Sequence, residues 1–296
     1  MKIINQRMSK QTFTYAAAML ASLLWGSAFP GTRYALQYYS PVSLMVLRFV
    51  SASITLGIIG ALRKNRLPKL KDIPMFIASG LSGVFLYSYL FNTGSVSVPA
   101  GVSSFIIASA PIFTLVLTRI FLKEEIKPIY WFGAFVSFCG LAAVTLTQVT
   151  EFSFDIGVFL VVCAALSSGI YSTVMRVLTK SYTALEATTY TIIAGTIGTL
   201  FFLPVALEEL PGSFLSVNLV VLFMGIFPAA IAYLAWSYAL AGAKKTANVT
   251  VFSYLIPFIS ALISYVWLRE TISLFAFIGG MFIIAGMLLT NVFDRK

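Results

Sequence analysis

Long apolar stretches separated by short polar loops make up most of the chain between residues 13 and 293. An α-helix needs about 20 apolar residues to cross a hydrocarbon core of about 30 Å. We therefore predict ten membrane-spanning helices, at 13–36, 42–62, 73–94, 100–122, 128–148, 156–177, 184–205, 216–240, 246–268 and 273–293. We interpret the first as a retained span, because its hydrophobicity continues beyond the length of a signal-peptide core.

The composition agrees with this pattern. Hydrophobic residues make up 59% of the chain and charged residues only 10%, whereas a soluble domain carries about 25% charged residues. The predicted fold class is an all-α integral membrane protein. Both cysteines, Cys139 and Cys163, fall inside predicted spans, so we interpret them as small packing residues and expect no extracellular disulfide.

The distribution of Lys and Arg predicts the orientation. With the N-terminus inside, sixteen basic residues fall on the cytoplasmic side, and only Arg33 and Arg269 lie at outer span ends. Positive charge accumulates in cytoplasmic loops, so we expect a multi-pass protein of the cell membrane with both termini in the cytoplasm. The net charge of +10 is then a feature of topology and of attraction to anionic lipid headgroups, and it is no evidence for nucleic-acid binding.

One segment occurs twice. IIASAPIFTLVLTRIFLKEE at 106–125 returns as FSYLIPFISALISYVWLRET at 252–271, which relates positions 146 residues apart. The same spacing relates Tyr87 to Tyr233, and a spacing of 143 relates Gly26 to Gly169 and Arg33 to Arg176. A unit of five spans, an odd number, forces its second copy to enter the membrane from the other side. We predict two five-helix inverted-topology repeats, at 13–148 and 156–293, the architecture of many secondary transporters.

Three motifs carry a resemblance to a known family. They are LLWGSAFPGTRYAL in span 1, SPVSLMVLRF at the start of span 2, and the two proline-containing segments that end in LKEE and LRET. On these, the chain resembles the EamA branch of the drug/metabolite transporter superfamily over about residues 13–293. The resemblance implies a ten-helix transporter of a small molecule. The family includes exporters of amino acids, drugs and other metabolites, and some vitamin importers, so it leaves the substrate open.

Several of the predicted spans contain a proline, and we single out Pro30, Pro111 and Pro257. A proline removes the hydrogen bond to the carbonyl four residues earlier, and a free carbonyl at membrane depth must face protein or a wet cavity. Each position is therefore a predicted helix kink. It would either move and offer an acceptor to a substrate, or be static and satisfied by a neighbouring helix.

Aromatic and hydroxyl side chains recur at mid-span positions on shared helix faces, and their rings and hydroxyls suit a neutral or zwitterionic solute with an apolar body. We predict a substrate site between the repeats formed by Trp25, Phe29, Tyr87, Ser104, Tyr171, Tyr233, Trp236 and Tyr254. Helix packing is the alternative role for each of them. The repeats differ at one position, where Ser168 stands opposite Trp25.

Charged residues restrict the chemistry. The chain has no histidine, and its Asp and Glu residues lie in loops or near span ends, so a buried proton relay and a catalytic or metal cluster at membrane depth are not predicted. We expect no catalytic residues, no metal and no cofactor, and transport that is facilitated or coupled by exchange. An intramembrane enzyme is therefore disfavoured, and a scaffold or receptor would leave the duplication unexplained.

Arg48 is the one charge well inside a span, six residues from the outer end of span 2, or about 9 Å at 1.5 Å per residue. It would pair with a substrate carboxylate, or else reach outward or bind backbone carbonyls; we favour the structural role. We interpret Arg33 and Arg176 as interface anchors and Glu124 as the local partner of Lys123.

The leading hypothesis is a secondary transporter that exports a small amphipathic metabolite, such as an amino acid, by alternating access between the repeats. Import of a vitamin-like compound by the same fold is the alternative. The expected partners are a small-molecule substrate and the lipid bilayer, without nucleic acid. The sequence does not define the substrate, the direction, the coupling ion or the oligomeric state.

Overall fold

The computed structural model describes residues 2–98, 100–146 and 156–268, together with Ile278, Met281 and Phe282. Throughout this part of the chain the regular structure is helical, and it follows the first nine predicted spans. Seven of these helices are long and apolar enough to cross a membrane, and Ala110–Phe121 is a shorter apolar helix. An all-helical fold with several membrane spans is therefore confirmed. The tenth predicted span, 273–293, lies outside the described residues apart from the three named above.

Nine helices, α1 to α9, are defined within the described residues and follow the chain in order. The first five are α1 (Lys2–Ala35), α2 (Pro41–Leu62), α3 (Leu70–Ser97), α4 (Ala100–Ile107 and Ala110–Phe121) and α5 (Pro128–Leu146). The others are α6 (Ile156–Leu178), α7 (Ala184–Glu209), α8 (Leu215–Gly242) and α9 (Ala247–Thr250, Val251–Tyr254 and Leu255–Leu268).

The second helix of each predicted repeat begins at a side-chain cap. Ser40 caps α2, and its hydroxyl accepts a hydrogen bond from the N–H of Ser43 at 3.3 Å. Thr183 and Glu186 form a reciprocal capping box at the start of α7, with hydrogen bonds of 2.8 and 3.2 Å. Such caps satisfy N–H groups that a helix start leaves free. Ser40 and Thr183 lie 143 residues apart, the spacing of the predicted repeat.

The first helix of each predicted repeat packs on the other repeat. Helix α1 lies against α8 and α9, and α6 lies against α3 and α4. Glycines allow the close approach, since a Cβ on Gly26 would lie 2.6 Å from Cγ2 of Ile259 and a Cβ on Gly169 would lie 2.8 Å from Cβ of Phe113. Gly26 and Gly169 are the pair predicted from the 143-residue spacing.

At each end of the bundle, a glutamate of α7 binds a residue that lies just outside α2. At the predicted outer end, the N–H of Ser40 donates to Oε2 of Glu209 at 2.8 Å. At the predicted cytoplasmic end, Nε of Arg66 lies 3.0 Å from Oε1 of Glu186, and this hydrogen bond raises the pKa of the Arg66 guanidinium. Each contact joins segments predicted to lie on the same side of the membrane. The identity of the two sides stays a prediction.

Helices α3 and α8 each contain a π-helical segment near mid-span. The segments are Leu81–Leu86 in α3 and Gly225–Ile231 in α8, and they overlap under the 146-residue spacing. Pro228 explains the second, because proline removes an α-helical hydrogen bond. Ser82 occupies the related position in α3, so the first segment carries no such signal and was not predicted.

The helices around the three prolines differ. Helix α4 is interrupted at residues 108 and 109, just before Pro111. Helix α9 tightens into the 3₁₀ turn Val251–Tyr254 just before Pro257. Helix α1, by contrast, is helical through Pro30. Interruptions therefore fall at related positions in α4 and α9.

Candidate substrate-binding site

A central cavity lies among seven helices, α1, α2, α3, α4, α6, α8 and α9, and so draws its walls from both predicted repeats. Its volume is about 60 Å³, which is smaller than the roughly 300 to 1,000 Å³ of most small-molecule sites, so the cavity must widen to hold a metabolite. Because its walls come from both predicted repeats, the cavity is the candidate substrate-binding site.

Six of the eight predicted site residues line the central cavity: Trp25, Phe29, Tyr87, Tyr171, Tyr233 and Trp236. Two do not. Ser104 is buried, and Tyr254, only 1% exposed, belongs to the hydrophobic core. The prediction assumed an unbroken period of 3.6 residues through α4 and α9. The interruptions in α4 and α9 change which face of each helix points toward the cavity. In α9, for example, the 3₁₀ segment completes a turn in about three residues, whereas an α-helix needs about 3.6.

Other residues of α4 and α9 take these places on the cavity wall. Ile107 and Ala110 line it from α4, and Ser253 and Ile256 line it from α9. The two pairs are related by the 146-residue spacing. We had predicted other residues of these two helices, Ser104 and Tyr254. The remaining lining residues that were not predicted are Ala28, Arg48, Gly83, Phe91, Pro111, Thr114, Ser168, Ser172 and Thr250.

The aromatic rings of the wall touch one another. Trp25 packs on Tyr233 and Trp236, with ring centroids 5.5 and 5.2 Å apart, and Tyr171 lies 5.3 Å from Tyr233. Trp25 and Tyr233 meet nearly edge-on at 85°, a geometry that aromatic pairs prefer, whereas the other two pairs are tilted, at 54° and 56°. The rings thus hold one another in place in the wall of the cavity.

The polar edges of these rings bind the protein itself. The hydroxyl of Tyr233 donates to the carbonyl of Gly83 at 2.7 Å, and Nε1 of Trp25 donates to the carbonyl of Pro228 at 3.1 Å. Both carbonyls belong to the π-helical segments. A buried carbonyl is costly when unpaired, so these side chains stabilise the irregular segments.

The two halves use similar donors for this purpose. Ser167 donates from α6 to the carbonyl of Ser82 at 2.8 Å, and Ser82 is related to Pro228 by the 146-residue spacing. Ser167 is the neighbour of Ser168, the residue opposite Trp25 in the repeat. A tryptophan in one half and a serine in the other thus cap related carbonyls.

Among the described residues, Arg48 is the one charged side chain that lines the central cavity. It is only 6% exposed, and its Nε has no hydrogen-bond partner in the described part of the chain. Its Cζ lies 5.8 Å from the ring centroid of Phe49, within the range of a cation–π contact. The favoured structural role, with the guanidinium reaching outward or bound to backbone carbonyls, has no support in these contacts.

A buried ion pair lies at the predicted cytoplasmic end. Nε of Arg176 is 3.3 Å from Oε1 of Glu124, and the two side chains are 11% and 16% exposed. Glu124 also accepts hydrogen bonds from the N–H and hydroxyl of Thr246, at 2.9 and 3.1 Å. Arg176 donates in addition to the carbonyls of Leu240 and Lys244. The network joins α4 to α6 and to the segment between α8 and α9.

This network corrects two predictions. Glu124 was expected to pair with Lys123, and Arg176 to anchor at the membrane interface. Lys123 is exposed and has a left-handed backbone (φ 53°), whereas the partner of Glu124 comes from a helix 52 residues away. Sequence neighbours were preferred because a distant partner leaves no local pattern.

A second cavity lies beyond the central one, toward the predicted outer end. It shares Phe29 and Phe91 with the central cavity, and Arg33, Gln37 and Ser97 lie among the residues that surround it. Arg33 is exposed there. The ion pair of Arg176 lies at the opposite end of α6 from this opening. The two cavities therefore adjoin at Phe29 and Phe91, on the side of the central cavity that faces the predicted outer end.

Comparisons with known proteins agree on a transporter. The EamA-like transporter family matches the chain twice, over residues 12–146 and 155–292. An uncharacterized transporter of Bacillus subtilis, YdfC, is 34% identical over 276 residues, which cover 92% of this chain and 89% of the relative. A probable terminal-alkyne amino-acid exporter of Streptantibioticus cattleyicolor is 33% identical over 275 residues, which cover 93% of this chain and 92% of the relative.

A solved structure supports the fold. One crystal structure matches with a TM-score of 0.77 over 97% of each chain, at 20% identity. At this identity the likeness concerns the fold alone.

Proposed function

The chain belongs to the EamA-like transporter family, and we propose that it exports a small amphipathic metabolite, such as an amino acid, by alternating access. That it is a multi-pass membrane transporter follows from the family and the relatives. The observation that carries the finer proposal is the central cavity, whose aromatic walls come from both predicted repeats and whose one charge among the described residues is Arg48. The site residues are those of the cavity wall.

The chemistry of the wall suits a solute with an apolar body and one polar end. Ring faces of Trp25, Tyr171 and Trp236 offer apolar contact, while their neighbours Thr250 and Ser253 add small hydroxyls. The relative named as a probable terminal-alkyne amino-acid exporter supports an amino acid-like cargo and outward transport. Import of a vitamin-like compound is the alternative that a transport assay must exclude.

The two ends of the bundle differ, and this difference supports alternating access. The Glu124–Arg176 pair ties helices of both predicted repeats together at the predicted cytoplasmic end, and the second cavity lies at the other end. This arrangement corresponds to an outward-facing state in the predicted orientation. Opening toward the cytoplasm would require the pair to separate while one repeat rocks against the other.

The proposal places the protein in the cell membrane with both termini in the cytoplasm. A reporter fused to Lys296 tests this arrangement, because a reporter active only outside the membrane contradicts it. The oligomeric state is not part of the proposal.

Transport in proteoliposomes tests the function. Vesicles are loaded with labelled phenylalanine, leucine, riboflavin or a cationic dye, and efflux is compared with that from protein-free vesicles. Faster efflux of the apolar amino acids is expected. Movement of riboflavin or dye alone would contradict the proposal and favour the vitamin or drug alternatives.

A further inference from the structure

Arg48 is a buried charge without a protein counterion in the described structure. It is 6% exposed, lines the central cavity and leaves its Nε unpaired. Burial of an unpaired ion is strongly unfavourable. The Phe49 ring, 5.8 Å from Cζ, compensates only in part, because a cation–π contact is weaker than a paired charge.

Three acidic side chains near the ends of the described bundle are engaged elsewhere. Glu124 pairs with Arg176, and Glu186 pairs with Arg66. Glu209 accepts a hydrogen bond from the N–H of Ser40. The described residues that line the cavity include no Asp or Glu. The positive charge of Arg48 therefore acts on the cavity itself, where electrostatic attraction is stronger than in water.

We propose that Arg48 binds the carboxylate of the transported solute, which makes the cargo an apolar monocarboxylate, amino acids included. The inference rests on the proposed function. A guanidinium presents parallel N–H donors that match the two oxygens of a carboxylate. The aromatic faces of Tyr87, Tyr233 and Trp236 line the same cavity and receive the apolar body.

An amine on the solute plays a smaller part in this site. The part of the cavity wall that the structure describes offers an ammonium group hydroxyls such as those of Thr250 and Ser253, but no carboxylate. Removal of the carboxylate charge should thus weaken binding more than removal of the amine. We expected a neutral or zwitterionic solute from the sequence, and the proposal departs from this, because it requires a carboxylate and gives the ammonium group a minor role.

Matched ligand pairs test the inference in wild-type protein in nanodiscs. The pairs are phenylalanine with phenylalaninamide, and 3-phenylpropionate with 3-phenylpropanamide. Tryptophan fluorescence reports binding, because Trp25 and Trp236 line the cavity. The carboxylate of each pair should bind about 10- to 100-fold more tightly, the value of a charged hydrogen bond.

Variants assign this preference to Arg48. Arg48→Met keeps the length of the side chain and should abolish the preference with little change for the amides. Arg48→Lys keeps the charge without the fork and should give an intermediate preference. Glu125→Gln is the control, since it alters an exposed side chain outside the cavity wall and should leave all affinities unchanged.

Stability separates binding from a structural role. Arg48→Met removes an unpaired buried charge, so its melting temperature should stay at or above that of the wild type. A lower melting temperature with an intact carboxylate preference would overturn the inference. So would equal affinities for the carboxylate and the amide in the wild type.

The two proposals fail in different ways. Amino-acid efflux without a carboxylate preference would overturn the role of Arg48 alone. Preference for 3-phenylpropionate without any amino-acid efflux would overturn the amino-acid proposal and keep the role of Arg48. Absence of both results would overturn both.

Discussion

Two arginines of this bundle, Arg48 buried and Arg176 partly buried, have opposite surroundings. Arg176 binds Glu124 at 3.3 Å and two backbone carbonyls, those of Leu240 and Lys244. Arg48 faces the central cavity, and its Nε has no partner among the described residues. A buried charge is tolerated when it is paired and hydrogen-bonded. The difference therefore indicates that Arg176 holds helices together, whereas Arg48 is available to a ligand.

The same distinction applies to the tyrosines. The hydroxyl of Tyr233 caps the carbonyl of Gly83 at 2.7 Å, while the hydroxyl of Tyr254 is buried without a partner. In the sequence, both tyrosines lie inside spans, whereas Arg48 lies well inside span 2 and Arg176 lies near the end of span 6. The tertiary contacts separate the two tyrosines and show which arginine has a counterion. Matched substitutions are the direct way to test whether those contacts matter.

The largest expected difference comes from the same substitution at the two arginines. Arg176→Met leaves Glu124 buried without its counterion and should lower the free energy of unfolding by about 3 kcal/mol. Arg48→Met should leave it unchanged or raise it, for the reason given above. Denaturant unfolding in mixed micelles measures both. Equal losses of stability in Arg176→Met and Arg48→Met would mean that the two arginines contribute alike to the fold.

Neutralisation of Glu124 tests the other side of the pair. Glu124→Gln keeps the size of the side chain and an acceptor for Thr246, but it removes the charge that faces Arg176. We expect a loss of about 2 kcal/mol, since hydrogen bonds to charged groups contribute more than neutral ones. The exposed neighbour Glu125 supplies the control, because Glu125→Gln should change stability by less than about 0.5 kcal/mol. A similar effect from both variants would mean that the ion pair contributes little.

Sequence periodicity and the duplication were enough to find the helices and much of the cavity. Residues repeated at mid-span, such as Tyr87 and Tyr233, converge on the cavity because related helices contribute related faces. Tyr254 was misplaced because the 3₁₀ turn before Pro257 changes the helical face. Pro257 predicts that the helix is disturbed in the preceding turn, but it does not predict how many residues adopt the 3₁₀ conformation.

Other features leave no local signal. The π-helical segment of α3 has Ser82 where α8 has Pro228, so composition does not reveal it. The Glu124–Arg176 pair depends on how α4 and α6 pack, which a single sequence does not specify. The exposure of a lone arginine such as Arg48 likewise depends on the surrounding helices. Local chemistry was therefore predicted better than long-range pairing.

A third prediction asks whether the cavity around Arg48 needs its present shape. A Cβ on Gly83 would lie 2.3 Å from Cδ2 of Tyr171, so Gly83→Ala must displace that ring from the wall. Overpacking of this kind should cost about 1 to 3 kcal/mol of stability and weaken substrate binding. Gly57→Ala is the control, because no atom lies within 4 Å of the added group, and it should gain up to about 1 kcal/mol. Normal substrate affinity in Gly83→Ala would show that the ring of Tyr171 is dispensable.

The smallest expected difference comes from removal of one hydroxyl at each of the two tyrosines. Tyr233→Phe leaves the carbonyl of Gly83 without its donor and should lower the free energy of unfolding by about 1 to 2 kcal/mol, the cost of an unsatisfied buried acceptor. Tyr254→Phe removes a hydroxyl that has no partner, so stability should be unchanged or slightly higher. Both variants keep the ring, and any change in packing is therefore small. Thermal unfolding at matched lipid composition measures the pair, and a larger loss at Tyr254 would mean that its hydroxyl has a partner in the membrane-embedded protein.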